Sequence, residues 1–217
     1  MIRQGSVLLV FAKAPIAGRV KTRLIPATGP GKAAALHAAM VLQTLRTAQR
    51  SGLDAIELWC QPPAQHSFFR FCRKRFGVVL KSQRGLNLGA RIVHALSDAL
   101  KRYRRAVVIG TDCPELCVRD LKQAEQWLNG PYAAVLGPCE DGGYFLIGLR
   151  RLRPELFRDI AWGGSEVVET TRLRLRRLGL RWAELSLGWD LDRPEDLLRW
   201  ASRRPSRSLG RCLRNSE

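Results

Sequence analysis

Short apolar runs alternate with amphipathic stretches along most of the chain. Residues 6–12 form a compact hydrophobic run of β type, and residues 55–60, 78–81, 106–110, 132–136, 143–149 and 180–187 repeat the pattern. Between them the apolar spacing changes to that of a helix. Leu36, Ala39 and Met40 mark a helix over 31–51, and Ile92, Ala95, Leu96 and Ala99 share one face of a helix over 88–103. Further helices are predicted over 67–76, 118–128 and 165–178, the last with Ser165 as its cap and Glu166 and Glu169 favouring its first turn. A final helix over 194–201 starts on Pro194, which suits a first-turn position, with Glu195 and Asp196 behind it.

Strands alternating with helices predict an α/β/α sandwich on a mixed, mainly parallel sheet. Residues 132–149 hold two strands with no room for a crossover helix, so antiparallel pairing is expected late in the sheet. The 217 residues, 46% of them hydrophobic, suffice for one sizeable core. The expected layout is a single domain over 1–201 followed by an Arg-rich tail over 202–217.

No apolar run approaches the ~18 residues that cross a bilayer. The run at 6–12 is too short for a signal-peptide core and is interrupted by Lys13, so a cytoplasmic location is expected. The six cysteines include no Cys-x-x-Cys pair, which favours free thiols over a zinc site. The charge changes the picture more. With 37 Lys and Arg against 19 Asp and Glu, the net charge is +18, and nucleic-acid binding has to be considered. Most of these cations are arginines spread along the chain, as on a solvated surface. They are densest at the end, at Arg199, Arg203, Arg204, Arg207, Arg211 and Arg214. Such a tail could meet RNA, DNA or an anionic membrane, or fray into solvent, and the second reading is preferred.

Four segments carry candidate chemistry. Residues 11–24 follow the first strand and hold Lys13, Arg19, Lys21 and Arg23 with no acid among them. Such a loop is costly as mere structure and suited to phosphates. At the end of the fourth strand, Gly110-Thr111-Asp112-Cys113-Pro114 places an acid where α/β proteins bind ligands. Asp112 could hold Mg²⁺ or Mn²⁺, or it could cap the next turn. Glu140-Asp141-Gly142-Gly143 lies between two strands, and Asp141 could act as a base or simply close a hairpin. After the last strand, Asp190 and Asp192 share a face of extended chain. Asp192 is expected to cap the helix opened by Pro194, which leaves Asp190 as the better second ligand. Two carboxylates ~4 Å apart repel by roughly 4 kcal/mol at an effective dielectric of 20, so Asp112 beside Asp190 would call for a cation. Asn87 is a good helix N-cap at residue 88, and its turn could also meet a nucleobase or ribose. His37 and His94 fall inside helices and are expected to be structural or exposed. No Gly-x-Gly-x-x-Gly, Walker loop or Gly-x-Ser-x-Gly occurs, which argues against dinucleotide oxidoreductases, P-loop NTPases and α/β-hydrolases.

As a set, residues 11–24, 88–91, 110–114, 137–148, 160–167 and 190–197 resemble the glycosyltransferase-A-like "transferase 1, rSAM/selenodomain-associated" family. That family is related to 2-phospho-L-lactate guanylyltransferase and the molybdenum cofactor guanylyltransferases. The segments come in the family's order and span about residues 5 to 200. The resemblance implies a nucleotide-diphospho-sugar transferase fold. It implies that Lys13, Lys21 and Arg23 hold nucleotide phosphates, and that Asp112 and Asp190 are the first and second metal ligands. Where the family usually has Asp, this chain has Asn87. The tail lies outside the resemblance.

Three functions compete. One is a metal-dependent glycosyl transfer from a nucleotide-diphospho-sugar to a small-molecule acceptor, with Asp141 as base and Lys21 on the leaving phosphates. The second is nucleotidyl transfer from a nucleoside triphosphate to a phosphorylated acceptor, which needs no protein base. The third is nucleic-acid binding without catalysis, which explains the charge and leaves Asp112, Asp141 and Asp190 without a task.

Overall fold

The computed structural model of the chain describes residues 4–62 and 65–203. The chain-order elements are β1 (Gln4–Lys13), α1 (Ile25–Thr28), α2 (Pro30–Gln49), β2 (Ala55–Gln61), α3 (Ser67–Phe76), β3 (Val79–Ser82), α4 (Leu88–Arg102), β4 (Tyr103–Ile109), α5 (Val118–Asn129), β5 (Ala134–Pro138), β6 (Tyr144–Leu149), α6 (Val167–Arg177), β7 (Trp182–Glu184) and α7 (Pro194–Arg203). The strands form one seven-stranded sheet in the order β3-β2-β1-β4-β6-β5-β7. β6 runs antiparallel to both neighbours and the other pairings are parallel. This is the α/β fold of the nucleotide-diphospho-sugar transferases, with helices on both faces.

The pleat of β1 shows why its sequence is apolar at successive positions. Leu8 and Val10 point into a core with Val41 and Leu45 of α2, Phe69 of α3 and Leu121 of α5. Val7 and Leu9 point the other way, onto Ile92 and Leu96 of α4 and Leu175 of α6. A central parallel strand is buried on both faces, so alternation disappears. A third, smaller cluster joins Leu24, Leu36 and Met40 to Trp189 and Leu191, with Leu197 and Trp200 of α7 packed on it. It seats the last described helix beside the carboxyl ends of β1 and β4.

From β1 the chain builds outward to β2 and β3, then returns to add β4 on the other side of β1. The crevice at such a reversal, beyond the carboxyl ends of the strands, is where this architecture leaves room for a ligand. The cationic loop leaves β1 and Asp112 leaves β4, so both open into it.

Three sequence expectations change. β7 is confined to Trp182–Glu184, where its register with Ala134–Leu136 of β5 is continuous; beyond it only separate contacts, such as the Leu185 and Gly188 amides donating to Leu136 and Pro138, reach β5. Ser165 does not cap α6: the N-cap is Glu166, without a side-chain cap. The Val168 amide instead donates to the Gly142 carbonyl at 2.9 Å, so the β5–β6 hairpin closes the helix start. Asp192 does not cap α7 either. Asp196 Oδ2 accepts the amides of Asp192 and Arg193 at 2.9 and 2.7 Å, which frees Asp192 for another partner. The tail residues Arg204, Arg207, Arg211 and Arg214, and Cys212, lie outside the described residues.

Candidate active site

Lys21 is the centre of the crevice. Its backbone sits in the left-handed region at φ 46°, a conformation that costs a non-glycine residue on the order of 1 kcal/mol. Its side chain is only 2% exposed. The conformation is held because the ammonium has three fixed acceptors. Nζ donates to the Leu191 carbonyl at 2.7 Å and to Asp192 Oδ1 at 3.0 Å, and it pairs directly with Asp112 Oδ1. Arg23 adds a looser contact to Asp192 at 3.8 Å. Burial alone would lower the Lys21 pKa, but the Asp112 and Asp192 carboxylates outweigh it and hold the ammonium above its usual value.

The acids come together through the backbone as well. The Leu191 amide donates to the Asp112 carbonyl at 2.9 Å, bringing the segment after β7 against the end of β4. Burial would raise the Asp112 pKa, but Lys21, with His37 and Lys13 behind it, pulls the carboxyl below its ordinary range. Asp190 goes the other way. Burial first, then the charges of Asp112, Asp141 and Asp192, push it up to about 7. The Cys139 thiol lies 3.6 Å from Asp190 Oδ1.

Asp141 is exposed at the tip of the β5–β6 hairpin, where its Oδ1 accepts the Gly143 amide at 2.9 Å. Gly142 beside it has φ 83°, and a Cβ there would be driven into the Ser165 carbonyl. Only glycine allows the hairpin to lie this close to the start of α6. Lys13 and Arg23 are exposed and reach the crevice from the same side as Lys21, and Arg19 lines it too. The whole forms a cleft of about 580 Å³, within the range of small-molecule sites.

Lys13, Lys21, Arg23, Asp112, Asp141 and Asp190 thus share one cleft. Asn87 does not join them. Its side-chain oxygen accepts the Ala90 amide at 2.9 Å as the N-cap of α4, and it stands outside the cleft lining. Asp192 joins the site, contrary to the capping expectation. His37 is buried rather than exposed, lines the cleft, and donates from Nε2 to the Lys13 carbonyl at 3.0 Å. Burial lowers its pKa, against the opposing pull of the Asp112 carboxylate. Gln61, Gln83 and Arg91 also line the cleft. For Gln61 the usable signal was strand register: Gln61 is the Cα partner of Lys13 across the β1–β2 pair.

The acids suit a hard divalent cation. Four carboxylates, at positions 112, 141, 190 and 192, gather around a single buried ammonium, and the raised Asp190 pKa comes from its burial first and from the three neighbouring carboxylates second. Among the described residues no three His, Cys, Asp or Glu side chains enclose a metal by themselves.

A family pattern described as "uncharacterized protein conserved in bacteria", DUF2064, matches residues 44–164. The chain belongs to this family. A protein of Desulfovibrio desulfuricans G20, provisionally named a nucleotide-diphospho-sugar transferase, is 32% identical over 96% of this chain and 91% of its own, with a TM-score of 0.85. Two more distant structures share the fold. Rv0371c of Mycobacterium tuberculosis H37Rv in complex with manganese is 18% identical over 93% of this chain and all of its own (100%), at a TM-score of 0.54. CMP:2-keto-3-deoxy-manno-octonic acid synthetase in complex with CTP is 12% identical over 92% of this chain and 98% of its own, at 0.56. No curated protein matches the chain. In this family member the cleft opens at the carboxyl ends of β1 and β4. Among the described residues no helix is long and apolar enough to cross a membrane.

Proposed function

We propose that the protein is a metal-assisted transferase whose donor is a nucleotide-diphospho-sugar. The observation that supports this reading is the meeting of Lys21, Asp112 and Asp190 in one cleft, with further cations on one side and further acids on the other. In this reading Lys13, Lys21 and Arg23 hold the diphosphate, and Asp112 and Asp190 hold Mg²⁺ or Mn²⁺. The metal, when bound, supplies Lewis-acid stabilisation of charge on the diphosphate oxygens. Lys21 is already fixed and desolvated, so it neutralises the same charge without reorganising. Asp141 takes the proton of the acceptor hydroxyl. The acceptor oxygen bonds to the anomeric carbon, the bond from that carbon to the phosphate oxygen breaks, and its electron pair leaves with the nucleoside diphosphate.

A second reading, nucleotidyl transfer to a phosphorylated small molecule, is favoured by the number of cations. Lys13, Arg19, Lys21 and Arg23 line one cleft, enough for a triphosphate. An ionised phosphate acceptor would then attack the α-phosphate and pyrophosphate would leave, with no task for Asp141. This is the chemistry implied by the resemblance to guanylyltransferases. We take residues 1–201 as the catalytic unit and the Arg-rich tail as lying outside it. The described cysteines are unbridged, in keeping with a reducing cytoplasm.

The test is a thermal-shift screen of nucleotides and nucleotide-sugars with and without Mn²⁺, followed by product analysis. Nucleoside diphosphate released from a nucleotide-sugar supports the first reading, and pyrophosphate released from a triphosphate supports the second. No shift with any of them, or shifts that survive Asp112→Asn unchanged, would overturn both.

A further inference from the structure

The cations of this chain are unevenly matched by acids. Residues 58–97 contain no Asp or Glu, yet they hold Arg70, Arg73, Lys74, Arg75 and Arg84, all of them exposed. Among the described residues none of these forms an ion pair. Arg70 donates to the Gln65 carbonyl at 2.7 Å, which leaves its charge in place, and Arg75 lies over the Phe76 ring. α6 makes the contrast. It is also rich in arginine, but Arg172 is paired with both Glu169 and Glu184. The unmatched charge of α3 is therefore local, not a mere sample of the overall +18.

This charge lies along the open edge of the sheet. β3 is the outermost strand and pairs with β2. α3 leads into β3, and Arg84 follows it. Because α3 buries Phe69, Cys72 and Phe76 in the core, Ser67, Arg70, Phe71 and Lys74, at i, i+3, i+4 and i+7, share its outer face. Phe71 is 52% exposed among those cations. Val79 of β3 is half exposed, and Leu86, just past the strand, is fully exposed. Large apolar side chains held in water amid unmatched cations contribute nothing to the fold's own core and mark a contact surface.

We infer that this edge, formed by α3, β3 and the turn at Arg84–Leu86, docks on an anionic lipid bilayer. The cations meet the headgroup phosphates, and Phe71 and Leu86 enter the apolar layer beneath them. A second copy is opposed by charge, since edge-to-edge pairing of β3 would set two acid-free faces against each other. Nucleic acid would match the cations, but Leu86 and Val79 offer a base neither a ring to stack on nor a polar group. The docked edge borders the cleft, because Leu88, two residues after Leu86, lines it.

The test is co-sedimentation of the full chain, at physiological salt, with vesicles of phosphatidylcholine alone and of phosphatidylcholine mixed with phosphatidylglycerol. Binding to the mixed vesicles only is expected. The paired change Arg70→Gln and Lys74→Gln should weaken it about five-fold for each cation removed. Phe71→Ser and Leu86→Ser leave the charge untouched and should each weaken it several-fold, which adsorption by charge alone would not show. Hydrogen exchange of the wild type needs no variant: the amides of residues 84–87 should slow on the mixed vesicles. No binding to the mixed vesicles, or equal binding to neutral ones, overturns the assignment. So does full binding by the Arg70/Lys74 variant, which would leave the Arg-rich tail as the binding element. Unchanged binding in both Ser variants, or unchanged exchange at residues 84–87, overturns it too. Single-stranded RNA bound more tightly than vesicles through the same two cations would assign the edge to nucleic acid instead, and a lipid-free dimer split by Val79→Lys would assign it to a second copy.

Discussion

The ammonium of Lys21 pairs directly with the carboxylate of Asp112, although one leaves the loop after β1 and the other the end of β4. The pair fastens the two sides of the crevice to each other. Replacing Lys21 with Met removes the one buried cation in contact with Asp112 and Asp192. Both carboxylates are over a third exposed, which lessens the penalty, so a loss of about 1–3 kcal/mol is expected in chemical denaturation. Added Mn²⁺ should restore more stability to Lys21→Met than it adds to the wild type, because the variant has lost its internal positive charge. A variant of wild-type stability would show that the contact carries little.

Asp190 makes the metal-free protein sensitive to pH. Its folded-state pKa of about 7 lies above the ordinary 3.8. Between these values the folded state holds a proton that the unfolded chain has released. Its contribution to stability therefore falls as pH rises from about 4 through 7 and stays low above that. In chelator, Asp190→Asn should melt several degrees above the wild type at pH 8 and level with it at pH 4. The same change should abolish the thermal shift produced by Mn²⁺. An Asn variant that melts lower than the wild type at pH 8 would contradict this electrostatic account.

Much of the fold is written in short-range signals, and much of the site is not. β1 and β4 read as apolar runs because they are buried on both faces, and each ends in the segment that enters the cleft. Asn87 was ambiguous because a good N-cap and a polar ligand look alike in sequence. The sequence favours Asp192 for the contact that Asp196 makes, since two acids near Pro194 compete for one position and only the place of Lys21 decides. Gln61, Gln83 and His37 carry no local mark. They meet through parallel register and helix packing, which the order of residues does not display.

Gly142 allows the hairpin that carries Asp141 to lie against α6. Gly142→Ala adds a Cβ against the Ser165 carbonyl at a backbone conformation that Ala rarely adopts. A loss of about 1–3 kcal/mol is expected in denaturant titration, together with a fall in turnover larger than that of an equally destabilised variant far from the cleft. Equal falls in the two would mean that the hairpin does not position Asp141.

Arg199 of α7 reaches the same hairpin. It donates twice to Glu140, at 2.6 Å each, and its guanidinium lies 4.5 Å from the Trp189 ring centroid. Both side chains are largely exposed, so Arg199→Ala should leave global stability close to that of the wild type. Hydrogen exchange at the amides of Cys139, Glu140 and Gly142 should nevertheless speed up, because the latch holds that local segment. Unchanged exchange there would dismiss the latch.

The amide of Leu191, which joins the carbonyl of Asp112, has a consequence for synthesis. The acids at 190 and 192 come from a segment translated after every strand of the sheet. A ribosome-bound chain halted before this segment leaves the tunnel can assemble most of the sheet, yet its crevice has only two of its four carboxylates, and the Lys21 ammonium keeps only Asp112 of its three acceptors. Competence for ligand is thus acquired late and abruptly, as the final stretch of chain docks, and a nascent chain lacking it should ignore nucleotides however well its core is formed.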